Sequence, residues 1–208
     1  MKKQQVFYIH GGSPYASYED YLLDLHEIAI RDLPESGDKK RWYSTFRTAL
    51  GDQYEVFMPL MPNKQNAQYD EWKIWFERHF EYLHDEIILV GISLGAMFLA
   101  KYLSEQSIPV SVKHAFLLAG PYEDHYAPEV NRQRAGSFAF ESKVLDSLSV
   151  PQSNITIMHS KDDFVVPYEH ALKYKAALPE AELVTFSDKN HFLVEELPEL
   201  VERIKQLH

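Results

Sequence analysis

No cysteine occurs among the 208 residues, so disulfides, zinc–thiolate sites and thiol nucleophiles are excluded. Cysteine proteases and dithiol redox enzymes drop out with them. Basic charge is short as well: 21 Lys and Arg face 31 Asp and Glu, for a net charge of −10, a surface that repels phosphate backbones and anionic headgroups. Neither nucleic acid nor a membrane is expected as a partner. Long apolar runs are missing too. Lys2 and Lys3 lead only into Val6-Phe7-Tyr8-Ile9 before His10, too short for a signal-peptide core, and Ile87–Val90 is far too short to span a bilayer. A cytoplasmic protein is expected. Glycine is scarce, 8 in 208 or about 4 % against a usual usage of about 7 %. Yet Gly11, Gly12, Gly91 and Gly95 fall in two short clusters.

At roughly 150 residues per domain, the length fits one domain over residues 1–208. Six short β-rich runs are candidate strands: Val6–His10, Tyr54–Met58, Ile87–Val90, Ala115–Ala119, Ile155–His159 and Leu183–Phe186. Most are continuously apolar rather than alternating, as expected of parallel strands covered by helices on both faces. Helical patterns lie between them, over Tyr18–Asp32, Lys39–Leu50, Tyr69–His84, Leu94–Ser104, Phe140–Leu148, Tyr168–Leu178 and Pro198–Gln206. This alternation predicts an α/β protein with a mainly parallel sheet. In the third helix, Trp72, Trp75, Phe76, His79 and Phe80 recur at helical spacing and read as a core-facing stripe. Two connections are long: Leu33–Asp52, which holds an extra helix, and Pro121–Ala139, which either covers a ligand site or is a plain surface excursion.

The chemistry concentrates in Ile88-Leu89-Val90-Gly91-Ile92-Ser93-Leu94-Gly95-Ala96, a strand followed by G-x-S-x-G and an apolar helix. A serine on such a strained strand-to-helix turn has its hydroxyl pushed into the open and the first N–H groups of the helix aimed at any oxyanion it creates. Ser93 is therefore the candidate nucleophile. A serine hydroxyl needs a base held by a third group, and in this chain order the acid and the histidine should follow two later strands. Asp162 and Asp163 follow Ile155–His159, and His191 follows Leu183–Phe186. His191 is the candidate general base. The spacing Asp-x-x-Val-Pro up to Pro167 favours Asp163 as its partner, with Asp162 bracing the loop through local hydrogen bonds. An oxyanion also needs two N–H donors, and Leu94 and Gly12 are the candidates, although Gly11-Gly12 could simply make a tight turn. His10 is placed beneath that loop without a role in proton transfer.

The chain resembles the α/β-hydrolases, and within them a compact serine-hydrolase branch that includes YdeN-like bacterial proteins and the retinoblastoma-binding-protein-9 hydrolases. The resemblance rests on Gly91-Ile92-Ser93-Leu94-Gly95, on Asp162-Asp163-Phe164-Val165-Val166-Pro167 and on Asn190-His191-Phe192, with a weaker match at Met61-Pro62 and Trp72. It runs from the first strand to the last and implies six strands in the order 2-1-3-4-5-6 with helices on both faces. Two features depart from it: Ile92 stands where relatives often carry histidine or aspartate, and the insertion around Lys39–Leu50 is unfamiliar.

No phosphate-binding or dinucleotide-binding glycine loop is present, His26-Glu27 lacks a second histidine at ligand spacing, and His79 and His84 are five apart. Neither a cofactor nor a metal is expected. The parts match acyl transfer, so the expected activity is carboxylesterase-like hydrolysis of a small-molecule acyl ester through an acyl-enzyme. A thioesterase or peptidase with the same triad, and a non-catalytic interaction module on the same scaffold, are the alternatives.

Overall fold

A computed structural model describes residues 2–30, 40–122 and 134–207. Six strands, β1 (Gln4–Ile9), β2 (Tyr54–Phe57), β3 (Glu86–Ile92), β4 (Ser111–Leu118), β5 (Ile155–Ser160) and β6 (Glu182–Phe186), form one sheet. Every pairing is parallel and the order is β2-β1-β3-β4-β5-β6. Six α-helices are described with it: α1 (Tyr18–Glu27), α2 (Trp42–Leu50), α3 (Tyr69–Glu77), α4 (Leu94–Glu105), α5 (Glu169–Ala177) and α6 (Pro198–Gln206).

The continuous apolar runs have a simple cause, because successive strand side chains point to opposite faces and both faces are covered. Phe7, Ile9, Ile87 and Leu89 join the core layer that contains α3, α4 and α5 residues. Val6, Tyr8, Ile88 and Val90 join the layer that contains α2 and α6 residues. Helix α4 is buried through most of its length, Leu94 to Ala100 without a break. That matches a helix apolar nearly all round.

Five local expectations need correction. The helix expected over Phe140–Leu148 is a 3₁₀ segment, Ser142–Ser147, with only Leu145 buried, too little apolar anchoring to sustain a longer helix. Helix α3 stops at Glu77 and a separate 3₁₀ turn, Phe80–Tyr82, delivers the chain to β3. Its stripe is narrower than expected: Trp72 and Phe76 are buried, but Trp75 is exposed and His79 and Phe80 are half-buried. Helix α1 ends at Glu27, not Asp32, and buries none of its residues. Strand β4 starts four residues before Ala115, because its polar first half still pairs with β3. The inserted helix is present as α2, while 31–39 and 123–133, including His125, Tyr126 and Pro128, lie outside the described residues. Among the described residues no helix is long and apolar enough to cross a membrane.

Candidate active site

Ser93 joins β3 to α4 with φ +54°, a left-handed backbone that costs a non-glycine residue of order 1–3 kcal/mol and persists only where its surroundings enforce it. The enforcement is steric. A Cβ at Gly95 would strike the carbonyl oxygens of Ile9 and His10 on the neighbouring β1 segment, and one at Gly91 would lie 2.5 Å from the Gly95 carbonyl oxygen. The turn is tied across the sheet by the Ser93 N–H, which donates to the Leu118 carbonyl at 2.8 Å. Leu94 opens α4, so its N–H has no partner one turn back.

The loop after β1 packs onto this turn. A Cβ at Gly11 would lie 3.0 Å from Ser93 Cβ, and one at Gly12 would lie 3.2 Å from the Leu94 side chain and 2.9 Å from the Lys64 carbonyl oxygen. His10 is a staple. Its Nε2 accepts the Met61 N–H at 2.8 Å, which leaves the proton on Nδ1 to donate to the Gly11 carbonyl at 2.6 Å. Burial lowers the His10 pKa; the Gly11 hydrogen bond opposes this and the Lys64 charge adds to it. Trp72 contributes from below, donating its indole N–H to the Pro62 carbonyl at 2.8 Å. The expected core tryptophan therefore also straps the loop that faces Gly12.

The acid and the histidine meet at the ends of β5 and β6. Asp163 Oδ1 accepts the Val165 and Val166 N–H groups at 2.8 and 2.9 Å, and Oδ2 accepts His191 Nδ1–H at 2.8 Å. Burial alone would raise the Asp163 pKa, but hydrogen bonds from His159 and His191 outweigh it and hold the carboxyl far below the usual aspartate range. Asp162 points elsewhere. Its Oδ1 accepts the Ser160 hydroxyl at 2.5 Å and the Asn190 N–H at 3.0 Å, while Ser160 Oγ accepts the Lys189 N–H at 3.1 Å. It thus sutures the two loops, and His191 bonds to Asp163. Asn190 and Phe192, on either side of His191, both have φ near +50°. The histidine is held in a tight, strained bend.

Ser93, His191, Gly11 and Gly12 line one cavity of about 510 Å³. Asp163 stands behind His191, and Leu94 lies against Gly12. The cavity wall is largely apolar, with Tyr8, Tyr43, Met58, Leu60, Phe192 and Leu193 facing it, and Lys64 is its one Lys or Arg among the described residues. Two supporting residues carried no signal in the sequence: His159 and Ser160 reach the site from the end of β5.

A parallel sheet in this order, with a serine at the β3–α4 turn and an aspartate–histidine pair after β5 and β6, has the α/β-hydrolase fold. The chain belongs to the serine hydrolase family, whose model matches residues 29–206, and it is a hydrolase. In structure it is similar to the ydeN gene product of B. subtilis, at 17 % identity over 99 % of this chain and 98 % of that one, with a TM-score of 0.66. It is also similar to a meta-cleavage product hydrolase from Pseudomonas fluorescens, at 16 % identity over 99 % and 90 % with a TM-score of 0.64. Naproxen esterase of Bacillus subtilis superposes with a TM-score of 0.65 at 12 % identity over 98 % and 83 %. No curated protein matches the chain by sequence.

Proposed function

We propose that this protein is a carboxylesterase that cleaves small, largely apolar esters through an acyl-enzyme on Ser93. One observation carries the reading: His191, in the cavity that Ser93 lines, is bonded through Nδ1–H to the buried carboxylate of Asp163. With Nδ1 committed as a donor, the lone pair of neutral His191 is on Nε2, the form a general base requires. His191 takes the Ser93 proton as Oγ attacks the ester carbonyl, and the oxyanion is met by the N–H groups of Gly12 and Leu94. The tetrahedral intermediate collapses, the C–O bond to the alcohol breaks, and His191 returns the proton to the leaving oxygen. Water then attacks the acyl-enzyme as His191 takes its proton, the acyl C–Oγ bond breaks, and His191 returns the proton to Ser93 Oγ as the carboxylic acid leaves. Asp163 stays ionised throughout and stabilises the imidazolium.

The cavity wall supports the substrate class. Among the described residues no Asp or Glu lines it, in a chain that carries 31 of them. A substrate with an ammonium group, as an aminopeptidase takes, would find no counter-charge there among the described residues. An apolar acyl group finds Tyr43, Leu60 and Leu193.

The test is a panel of matched p-nitrophenyl esters, acyl thioesters and aminoacyl amides in steady-state and burst kinetics. The expected result is an alcohol burst equal to the enzyme concentration with apolar esters, and kcat/KM at least tenfold lower for aminoacyl amides. A protein that turns over thioesters or amides faster than every ester contradicts the substrate assignment, and one that turns over none contradicts the activity.

A further inference from the structure

The strand that delivers Asp163 carries a second histidine. His159 is the penultimate residue of β5 and has no exposed surface. Its Nε2 lies 2.8 Å from the Val166 carbonyl oxygen, which can only accept, so this nitrogen bears the hydrogen. The same nitrogen is 3.3 Å from Asp163 Oδ2. Nδ1 is buried and has no hydrogen-bond partner among the described residues. A residue serving only to fill space here would be more stable as an apolar side chain, because an orphaned buried ring nitrogen loses its hydration without replacement. The imidazole is accounted for by what its Nε2–H reaches.

We propose that His159 is a positioning residue for the active site, its Nε2–H fixing Asp163 Oδ2 in the direction from which that oxygen orients and polarises His191. The proposal rests on the Ser93–His191–Asp163 reading above. Oδ1 is already fixed by two backbone N–H groups, but among the described residues Oδ2 has only His191 and His159. His191 is the group being oriented, and it changes charge during turnover, so it cannot also be the anchor. His159 is fully buried on β5, between β4 and β6, and its Nε2–H, bonded to the Val166 carbonyl, lies between that oxygen and Asp163 Oδ2. It also clamps the Val166 peptide, whose N–H holds Oδ1 and whose carbonyl receives His159.

The titratable groups facing this corner are few. His159 reaches Asp163 from β5 and His191 from the loop after β6. Tyr168 packs its ring edge-on against His159 at 5.9 Å, its hydroxyl bonded to Thr185. Asp162 is engaged with Ser160 and Asn190. Loss of the His159 donor leaves Asp163 easier to protonate and concentrates its negative charge on His191. Both effects move the acid limb of the rate profile to higher pH.

The experiment compares wild type with His159→Leu, His159→Gln and His159→Asn in kcat, KM and the pH profile of kcat/KM, each normalised to sites titrated by a fluorophosphonate. Glutamine places an amide N–H close to the position of Nε2, and asparagine falls short of it. His159→Leu and His159→Asn are expected to lose about tenfold or more in kcat per titrated site, with KM within about twofold and the acid limb displaced upward. His159→Gln is expected to recover most of the rate and return the limb towards wild type. The proposal is overturned if the variants keep wild-type kcat and an unmoved acid limb per titrated site, so that only the number of titrated sites falls. It is equally overturned if glutamine does no better than asparagine, a comparison that holds even if His159→Leu does not fold. A wild-type protein that the fluorophosphonate does not label would instead defeat the triad reading itself.

Discussion

At the end of β3, Ser93 is held by backbone packed against backbone: the Gly91 and Gly95 positions have no room for a Cβ, and one at Gly95 would meet the carbonyls of Ile9 and His10. At the ends of β5 and β6, the Asp163 carboxylate accepts the Val165 and Val166 N–H groups and His191 Nδ1–H, with His159 Nε2 3.3 Å from Oδ2. The first region is indifferent to protonation and intolerant of one added carbon. The second depends on its charges and on which atom carries each proton. Steric and electrostatic preorganisation are thus divided between the two regions of one site.

The largest effect should come from the serine. Ser93→Ala is expected to lower ester hydrolysis by a factor on the order of 10⁶, while circular dichroism shows an unchanged fold, because only Oγ is removed and the steric frame remains. Next is the charge in the second region. Asp163→Asn keeps the shape of the side chain and is expected to lower kcat by about 10⁴, whereas Asp162→Asn, which loosens only the loop suture, should cost less than about tenfold. The reverse ranking in parallel kinetics would mean that the neighbouring carboxylate orients His191.

The steric side is probed by stability. Gly95→Ala puts a carbon into the Ile9 and His10 carbonyls, and overpacking of this kind costs about 1–3 kcal/mol or more. At about 2–4 °C per kcal/mol for a chain of this size, the melting temperature should fall by several degrees at every pH. Asp163→Asn should behave differently. Its ionised carboxylate is favoured in the folded state, with a pKa below the ordinary value of 3.8, so its stabilisation is present above that value and is lost as the pH falls through the folded pKa. The stability gap between wild type and Asp163→Asn, measured by denaturant titration, should be widest near neutrality and close in acid. A gap that widens on acidification would contradict the assigned charge.

The two regions were also unequally legible in the sequence. The Ser93 turn is local: Gly91, Ser93 and Gly95 stand within five residues of one another, and steric demands over so short a distance leave a motif. The acid–base corner joins residues 28 apart, and its placement after the fifth and sixth strands needed chain order as well as spacing. The choice of Asp163 over Asp162 followed from the run to Pro167, and the hydrogen bonds put His191 on that carboxylate. What stayed hidden acts through direction rather than composition. His159 reads as one more residue of an apolar strand until its ring is seen against Asp163. Ser160 reads as a loop residue until it bonds Asp162. Strand order agrees with what the resemblance implied, and the parallel pairing agrees with the continuous apolar strands separated by helices. The Phe140–Leu148 helix failed because apolar spacing cannot report that the 3₁₀ segment there buries only Leu145.

The most direct measurement of the central claim is covalent labelling by a fluorophosphonate followed by peptide mass mapping, on wild type and Ser93→Ala side by side. The account predicts one adduct per chain in wild type, located on Ser93, and none in Ser93→Ala. An unlabelled wild type, or equal labelling of Ser93→Ala, would contradict it.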